Sequence, residues 1–338
     1  MNKLIIQRSI LRIWTFSVQN QCKRTLNIKN FPNGVDFNVQ YIDTSPGRLD
    51  LPVALAIHGA PGTHKDFLPI VDQLAERGYR VIIPNFPGYG LTTGHYDMDE
   101  QVFSHSVTER LLFIADFVAL LGVFKIDLVL GHGMGTHVAS GFCARHPGVR
   151  SALFLAPAPH ELHRGLPPSI MMRFFARKWQ AKSYIIKPFL WLMFTFMHAW
   201  LRYEPTSHRA KHIGNMVLSG NGTHYPDIIS FALEMEIKQL PLVSITSEDD
   251  LLVMQSQLTK YHDLLGIKAD AREEYDKDGV CLKSVVPSEN TPHHAKSILL
   301  QNGTSFPQKT YTDLVIKEAL ELLEKSKNYQ PPNSNIDS

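Results

Sequence analysis

The stretch Ile126–Gly135, IDLVLGHGMG, decides the fold. An apolar run leads into glycines, and Met134 to Arg145 then reads as a helix stopped near Pro147. A strand, a sharp turn and a helix in this order form the setting written G-x-S-x-G, where the middle residue is aimed out of the turn as a nucleophile. The flanking Gly131 and Gly135 are present, but the middle residue is Gly133. The scaffold is complete and its attacking atom is missing.

Outward from this stretch, short apolar segments alternate with segments of helical period. Val35–Tyr41, Pro52–His58, Arg80–Phe86, Ile126–Leu130, Arg150–Leu155 and Pro241–Thr246 read as strands. His64–Arg77 reads as a helix, and Val107, Leu111, Ile114, Val118 and Leu121 recur at spacings of four and three, the buried stripe of another. Tyr311, Val315, Ala319 and Leu322 mark a closing amphipathic helix, and Pro331–Ser338 a solvated tail. Such alternation predicts an α/β class with a mostly parallel sheet covered by helices on both faces.

The alternation breaks at residues 160–238, which are expected to form a helical cap inserted between core segments 36–159 and 239–330. Met171–Trp179 and Ile185–Leu201 are rich in aromatic residues and Met, but Lys187, Pro188 and His198 interrupt the second. It is too short and too polar to span a bilayer, which needs roughly 20 mainly apolar residues. Between His160 and Pro226 nine Lys or Arg (Arg164, Arg173, Arg177, Lys178, Lys182, Lys187, Arg202, Arg209 and Lys211) face two acids, Glu161 and Glu204. A cap both basic and apolar suits anionic amphiphiles or a lipid surface; an ordinary packed cap with a solvated basic face fits the same counts.

Residues 1–35 form a basic arm without Asp or Glu, carrying Lys3, Arg8, Arg12, Lys23, Arg24 and Lys29. Ile6, Ile10, Ile13 and Trp14 fall at helical spacing, so the arm reads as an amphipathic segment of the kind found in mitochondrial targeting peptides. A basic arm on a cytoplasmic protein, or one touching a membrane, is the other reading.

Length and composition limit the function classes. The 338 residues suffice for a sizeable core, and 44% hydrophobic and 20% charged residues are ordinary for a globular chain. Three scattered cysteines, Cys22, Cys143 and Cys281, build neither a disulfide framework nor a thiolate metal site. No metal cluster or cofactor fingerprint is expected: the 16 histidines are dispersed, and the glycines at 131, 133 and 135 lack the spacing of a dinucleotide loop. The basic residues match no nucleic-acid module.

Two further motifs follow strands. His58-Gly59-Ala60-Pro61-Gly62 and Asn85-Phe86-Pro87-Gly88-Tyr89-Gly90 are tight loops, and an N–H exposed in the first can point at a developing oxyanion. With the 126–135 stretch, in this order, they resemble the α/β-hydrolase superfamily of the capped type, over Val35 to Leu323. More narrowly, HGAPGTHKDF with NFPGYG is similar to a nematode subgroup of that superfamily. The resemblance implies backbone oxyanion donors at Ala60 and Met134. It implies a triad acid at Asp250, with Asp249 and Glu248 as adjacent substitutes, and a base at His294 or its neighbour His293.

Gly133 departs from the pattern. Acyl transfer needs a polarisable oxygen or sulfur beside a base, and Thr136 is on the helix, directed elsewhere. His132, just before the vacant position, reads as a buried structural or cap-facing residue. The segment after His294 is expected to be irregular. These features favour a pseudo-hydrolase that binds an apolar small molecule. The alternatives are a hydrolase or lyase in which a His294–Asp250 dyad activates water, and a scaffold with a vestigial pocket. The epoxide-hydrolase branch would need an Asp at the elbow.

Overall fold

In a computed structural model, residues 11–18, 35–92, 103–180, 186–200, 210–284 and 294–330 are described. Chain order is β1 (Leu11–Val18), β2 (Val35–Asp43), β3 (Val53–Ile57), a 3-10 turn (His64–Phe67), α1 (Leu68–Glu76), β4 (Arg80–Pro84), α2 (Val107–Leu120), β5 (Leu128–His132), α3 (Gly135–Arg145) and β6 (Ala152–Leu155). Then come α4 (Ser169–Gln180), α5 (Ile186–Trp200), α6 (Ala210–Asn221), α7 (Tyr225–Ile237), β7 (Leu242–Ser247) and α8 (Gln255–Leu264). The chain closes with β8 (Arg272–Tyr275), β9 (Cys281–Lys283), β10 (Ala295–Leu300), a single turn at Pro307–Thr310, and α9 (Thr312–Asn328).

The strands make one sheet in the order β1-β2-β4-β3-β5-β6-β7-β10-β8-β9. β4 through β8 in that order run parallel, and β1, β2 and β9 pair antiparallel at the edges. β3 to β6 are apolar on both faces because both are covered: Leu55, Ile57 and Val129 pack with α2 and α3, while Ala54, Leu128 and Leu153 pack with α1 and α9. Among its described residues, the 160–238 insert forms four helices, α4 to α7. α6 fixes it to the core through the 85–90 loop: the Lys211 ammonium donates to the Gly90 carbonyl (3.1 Å), the Asn215 amide to Gly88 (3.2 Å), and the Gly90 N–H to His212 Nε2 (3.2 Å).

Two expectations need correction. Leu11–Val18 pairs with β2 residue for residue, Leu11 opposite Ile42 and Val18 opposite Val35, so this part of the arm is a strand and not a helix. Ile13, Trp14, Thr15, Phe16 and Val18 are β-branched or aromatic, and that propensity outweighs the helical spacing read across them. Residues 1–10 and 19–34 of the arm, and the tail at 331–338, lie outside the described residues. The second correction concerns Ala295–Leu300, expected to be irregular, which is β10, inserted between β7 and β8. Four of its six residues are buried, and it pairs along its length with β7 (Ala295 opposite Leu242, Leu300 opposite Ser247) and on its other side with β8, which makes it an interior strand.

The antiparallel edge is pinned by a buried ion pair. Arg80 of β4 meets Asp43 of β2 bidentately, Nε to Oδ1 at 3.0 Å and Nη2 to Oδ2 at 2.7 Å, with both side chains 1% exposed. Removing one partner strands the other charge without solvent. Asp43→Ala should therefore cost about 3–5 kcal/mol of unfolding free energy, read by urea denaturation. A loss below about 1 kcal/mol would show that the edge is held by something else.

Candidate functional site

β3 and β5 are neighbours with Ile57 opposite Gly131. Ala60 and Met134 each lie three residues beyond that matched pair, so register alone carries them to the same end of the sheet. The two turns then meet backbone on backbone. A Cβ placed on Gly59 would lie 2.8 Å from the His132 carbonyl oxygen, and one on Gly135 would meet the carbonyl oxygens of Ile57 and His58. Gly133 is the apex between β5 and α3, with φ at +53° and nothing within 4 Å of where a Cβ would stand. A side chain there would point into open space. Its carbonyl accepts from Thr136 Oγ1 (2.7 Å), which commits that hydroxyl to the turn, and its N–H donates to Leu155 (3.1 Å).

Gly59, Ala60, Pro61, Gly133, Met134, Asp250 and Ser305 line one cleft. Ala156, Leu252 and Val253 add apolar wall from the core, and the insert contributes Leu166, His198 and Met216. Asp250 follows β7 and is buried; its carboxylate accepts from the Leu252 N–H (2.9 Å) and from Ser305 Oγ (3.0 Å). Burial pushes its pKa up, against the pull of those bonds and of nearby His132. Asp249 and Glu248 are exposed. No group of three or more potential metal ligands occurs among the described residues.

The fold does not bring His294 to this cleft. His294 precedes β10 instead of following it, and its carbonyl accepts from the N–H of Leu242, the first residue of β7 (3.0 Å). Asp250 lies beyond the other end of β7. Six residues of strand, roughly 20 Å at about 3.3 Å each, separate the two ends. The ring of His294 packs against Gly266, and His293 lies outside the described residues. The loop that does cross the cleft end is 301–306, where Ser305 is the residue that reaches Asp250. Sequence reasoning missed Ser305 because it missed β10; the apolar run Ser297–Leu300, closed by Gln-Asn-Gly, was the available signal.

Three histidines surround the turns, and each is held neutral by burial. His58 donates from Nδ1 to the Gly59 carbonyl (2.7 Å) and accepts at Nε2 from the Phe86 N–H (3.1 Å). His137 donates from Nε2 to the Pro159 carbonyl (2.9 Å). His163, on the cleft wall, accepts at Nδ1 from the Gly165 N–H (3.1 Å), and the Leu252 backbone also bonds to the ring. Burial lowers all three to about 4. His132 is buried as expected, between Phe67 and Phe306; its Nε2 donates to the Ser305 carbonyl (2.8 Å) and its Nδ1 is 3.7 Å from Asp66. It ties the elbow to the loop that carries Ser305.

Residues 54–279 match the model of the alpha/beta hydrolase family, and the chain belongs to that family. The AB hydrolase superfamily protein YfhM of Bacillus subtilis (strain 168) is 27% identical over 157 residues, covering 45% of this chain and 49% of YfhM. Epoxide hydrolase 3 of Siraitia grosvenorii is 32% identical over 124 residues, covering 36% of this chain and 35% of that one. The matched stretches thus span less than half the length of either relative. Among solved structures, an epoxide hydrolase from hot-environment metagenomes superposes with a TM-score of 0.59 at 14% identity (93% of this chain, 99% of that one). The esterase EaEST of Exiguobacterium antarcticum gives 0.55 at 11% (86% and 96%). At these identities the likeness carries the fold, as expected from the sequence.

The neutral histidines set an acid limit. Above pH 6.5 neither the folded nor the unfolded chain holds these protons, whereas between 6.5 and about 4 only the unfolded chain binds them. Each ring therefore removes up to about 1.4 kcal/mol per pH unit as pH falls through that window. Carboxyls with raised pKa (Glu109, at about 7, with Asp116, Asp250 and Glu318) oppose this, but eight described histidines are lowered against these four. Urea midpoints should be flat near pH 7–8 and drop steeply between pH 6.5 and 4.5; a midpoint that rises with acid would contradict this account.

Proposed function

We propose that this chain is a pseudo-hydrolase that binds an apolar molecule bearing a carbonyl or similar oxygen acceptor, without forming an acyl-enzyme. The observation that carries the reading is the pairing at the cleft end: Gly133 at the apex where a nucleophile would stand, and the hydroxyl of Ser305 on Asp250 where an imidazole would be needed. A hydroxyl cannot serve as base near neutral pH, so both the attacking atom and its activator are wanting. A dyad of His294 with Asp250 is disfavoured by their positions at opposite ends of β7.

The binding half of the site persists. Neither the Ala60 nor the Met134 N–H has an acceptor among the described residues, and both residues line the cleft. Buried donors without partners cost about 1–3 kcal/mol each, which a ligand oxygen would recover. Apart from His132, His163, His198, Asp250 and Ser305, the side chains of the lining, among them Pro61, Ala156, Leu166, Met216, Leu252 and Val253, are apolar, so the body of the ligand should be largely apolar. The inserted helices then act as a cap over a binding pocket.

Serine-directed fluorophosphonate probes should leave the wild-type protein unlabelled. A panel of medium-chain esters, ketones and amides should include compounds that raise its melting temperature, since a ligand at one hundred times its Kd adds about 2.7 kcal/mol. The open space at Gly133 predicts that Gly133→Ser folds, yet alone it should give little turnover. Combined with Ser305→His, it should hydrolyse p-nitrophenyl esters at least about 10²-fold faster than either single variant. Covalent labelling of the unaltered chain, or full esterase activity from Gly133→Ser alone, would sink the proposal.

A further inference from the structure

The insert carries an apolar surface that the described chain leaves uncovered. On α5, Leu190, Phe194 and His198 are buried, while Phe189, Leu192, Phe196 and Trp200 form a stripe at helical spacing on the opposite side, with Phe196 68% and Trp200 79% exposed. α4 presents Ile170 (85% exposed), Met171 and Phe174 on its open side and buries Met172, Phe175, Ala176 and Trp179. Apolar patches of this extent mark interaction sites.

Charge decides what the partner is. The open side of α4 also carries Arg173, Arg177 and Lys178, all exposed, and Arg164 is exposed just before it. From residue 162 to residue 203 the sequence holds seven Lys or Arg and no Asp or Glu. The basic groups flank the aromatic ones: Lys178 Nζ lies 5.7 Å from the Phe174 ring centre, and Lys187 Nζ lies 5.3 Å from that of Trp179. A second copy of the same face would bring basic charge against basic charge. No described helix is long and apolar enough to cross a membrane. Exposed Trp, Phe and Leu beside Lys and Arg, with no acid, are the features of a helix lying in the plane of an anionic bilayer.

We propose that the α4–α5 face docks on the surface of an anionic lipid bilayer. The inner side of the same insert reaches the cleft through Leu166 and His198, so docking would hold the pocket next to the membrane. The proposal stands on the outer face alone and does not require the pocket to be non-catalytic.

The full chain, mixed with phosphatidylcholine vesicles containing 30% phosphatidylglycerol, should float with them at low salt and blue-shift its tryptophan emission. Partition should fall at least about ten-fold in pure phosphatidylcholine or at high salt, where charges are screened. Phe196→Ser with Trp200→Ser should reduce it more than about ten-fold, and Arg173→Gln, Arg177→Gln and Lys178→Gln each by about five-fold, with melting temperatures unchanged because all these positions are exposed. Should the double variant not fold, quenching of wild-type emission by bilayer-brominated lipid replaces it, and absence of quenching counts against the proposal. Failure to bind anionic vesicles, binding indifferent to lipid charge, or binding that survives the substitutions would overturn it. So would a dimer that the same substitutions dissolve without any vesicle binding.

Discussion

Backbone packed directly on backbone is the constraint beneath the cleft. The turns after β3 and β5 approach so closely that Gly59 and Gly135 have no room for a Cβ, because carbonyl oxygens of the opposite turn occupy it. That contact fixes Ala60 and Met134 at matched offsets from the Ile57–Gly131 pair and forces the reversal that leaves Gly133 at φ +53°. Everything at the cleft end follows from it. The Leu155 carbonyl and the Thr136 hydroxyl hold the apex, and His132 runs from the apex to the Ser305 loop. A turn of this shape is costly for residues with side chains and easy for glycine. The architecture therefore survives at Gly133 without storing the strain that an aimed side chain would impose.

This explains what could be read from the sequence. The strand-turn-helix, the loops at 58–62 and 85–90, and the interior strands β3 to β7 were legible because apolar runs bounded by glycine and proline have few other interpretations. The motif exposed Gly133, the family resemblance implied Ala60, Met134 and Asp250, and the fold brings all four to one cleft. His294 was misplaced for a definite reason. Ala295–Leu300 has Lys and Ser at its second and third positions, which mask an interior strand. Lys296 is accommodated by Glu273 at 3.2 Å and Glu318 at 2.9 Å, a compensation visible only in three dimensions. Once β10 was missed, the histidine before it looked like the histidine after it. The arm failed through competition between signals: helical spacing of Ile13 and Trp14 lost to β propensity and to pairing with β2, a partner more than twenty residues away.

The electrostatics of the cleft favour capture of polarity over generation of charge. Burial holds His163 on the cleft wall neutral and raises Asp250, so these two groups are biased toward their uncharged forms. An active acyl-transfer site does the reverse, stabilising an imidazolium beside a carboxylate as charge develops. Here the carboxylate is met by a hydroxyl, and the backbone N–H groups of Ala60 and Met134 stand on a largely apolar wall. Such a site suits a ligand that brings one acceptor and a hydrocarbon body.

The insert has to be reconciled with the same economy of charge. A core that keeps its interior neutral would be expected to place charge evenly outside, yet 162–203 concentrates basic residues with no acid among them and leaves Phe196 and Trp200 in the open. Packing does not account for this: α6 already fixes the insert to the 85–90 loop, and Leu190 and Phe194 already bury the inner side of α5. The outer side therefore adds nothing to folding and exposes aromatic surface to water. An anionic bilayer surface, which accepts aromatic rings at its boundary and carries negative charge, would relieve both features together, as the proposed docking requires.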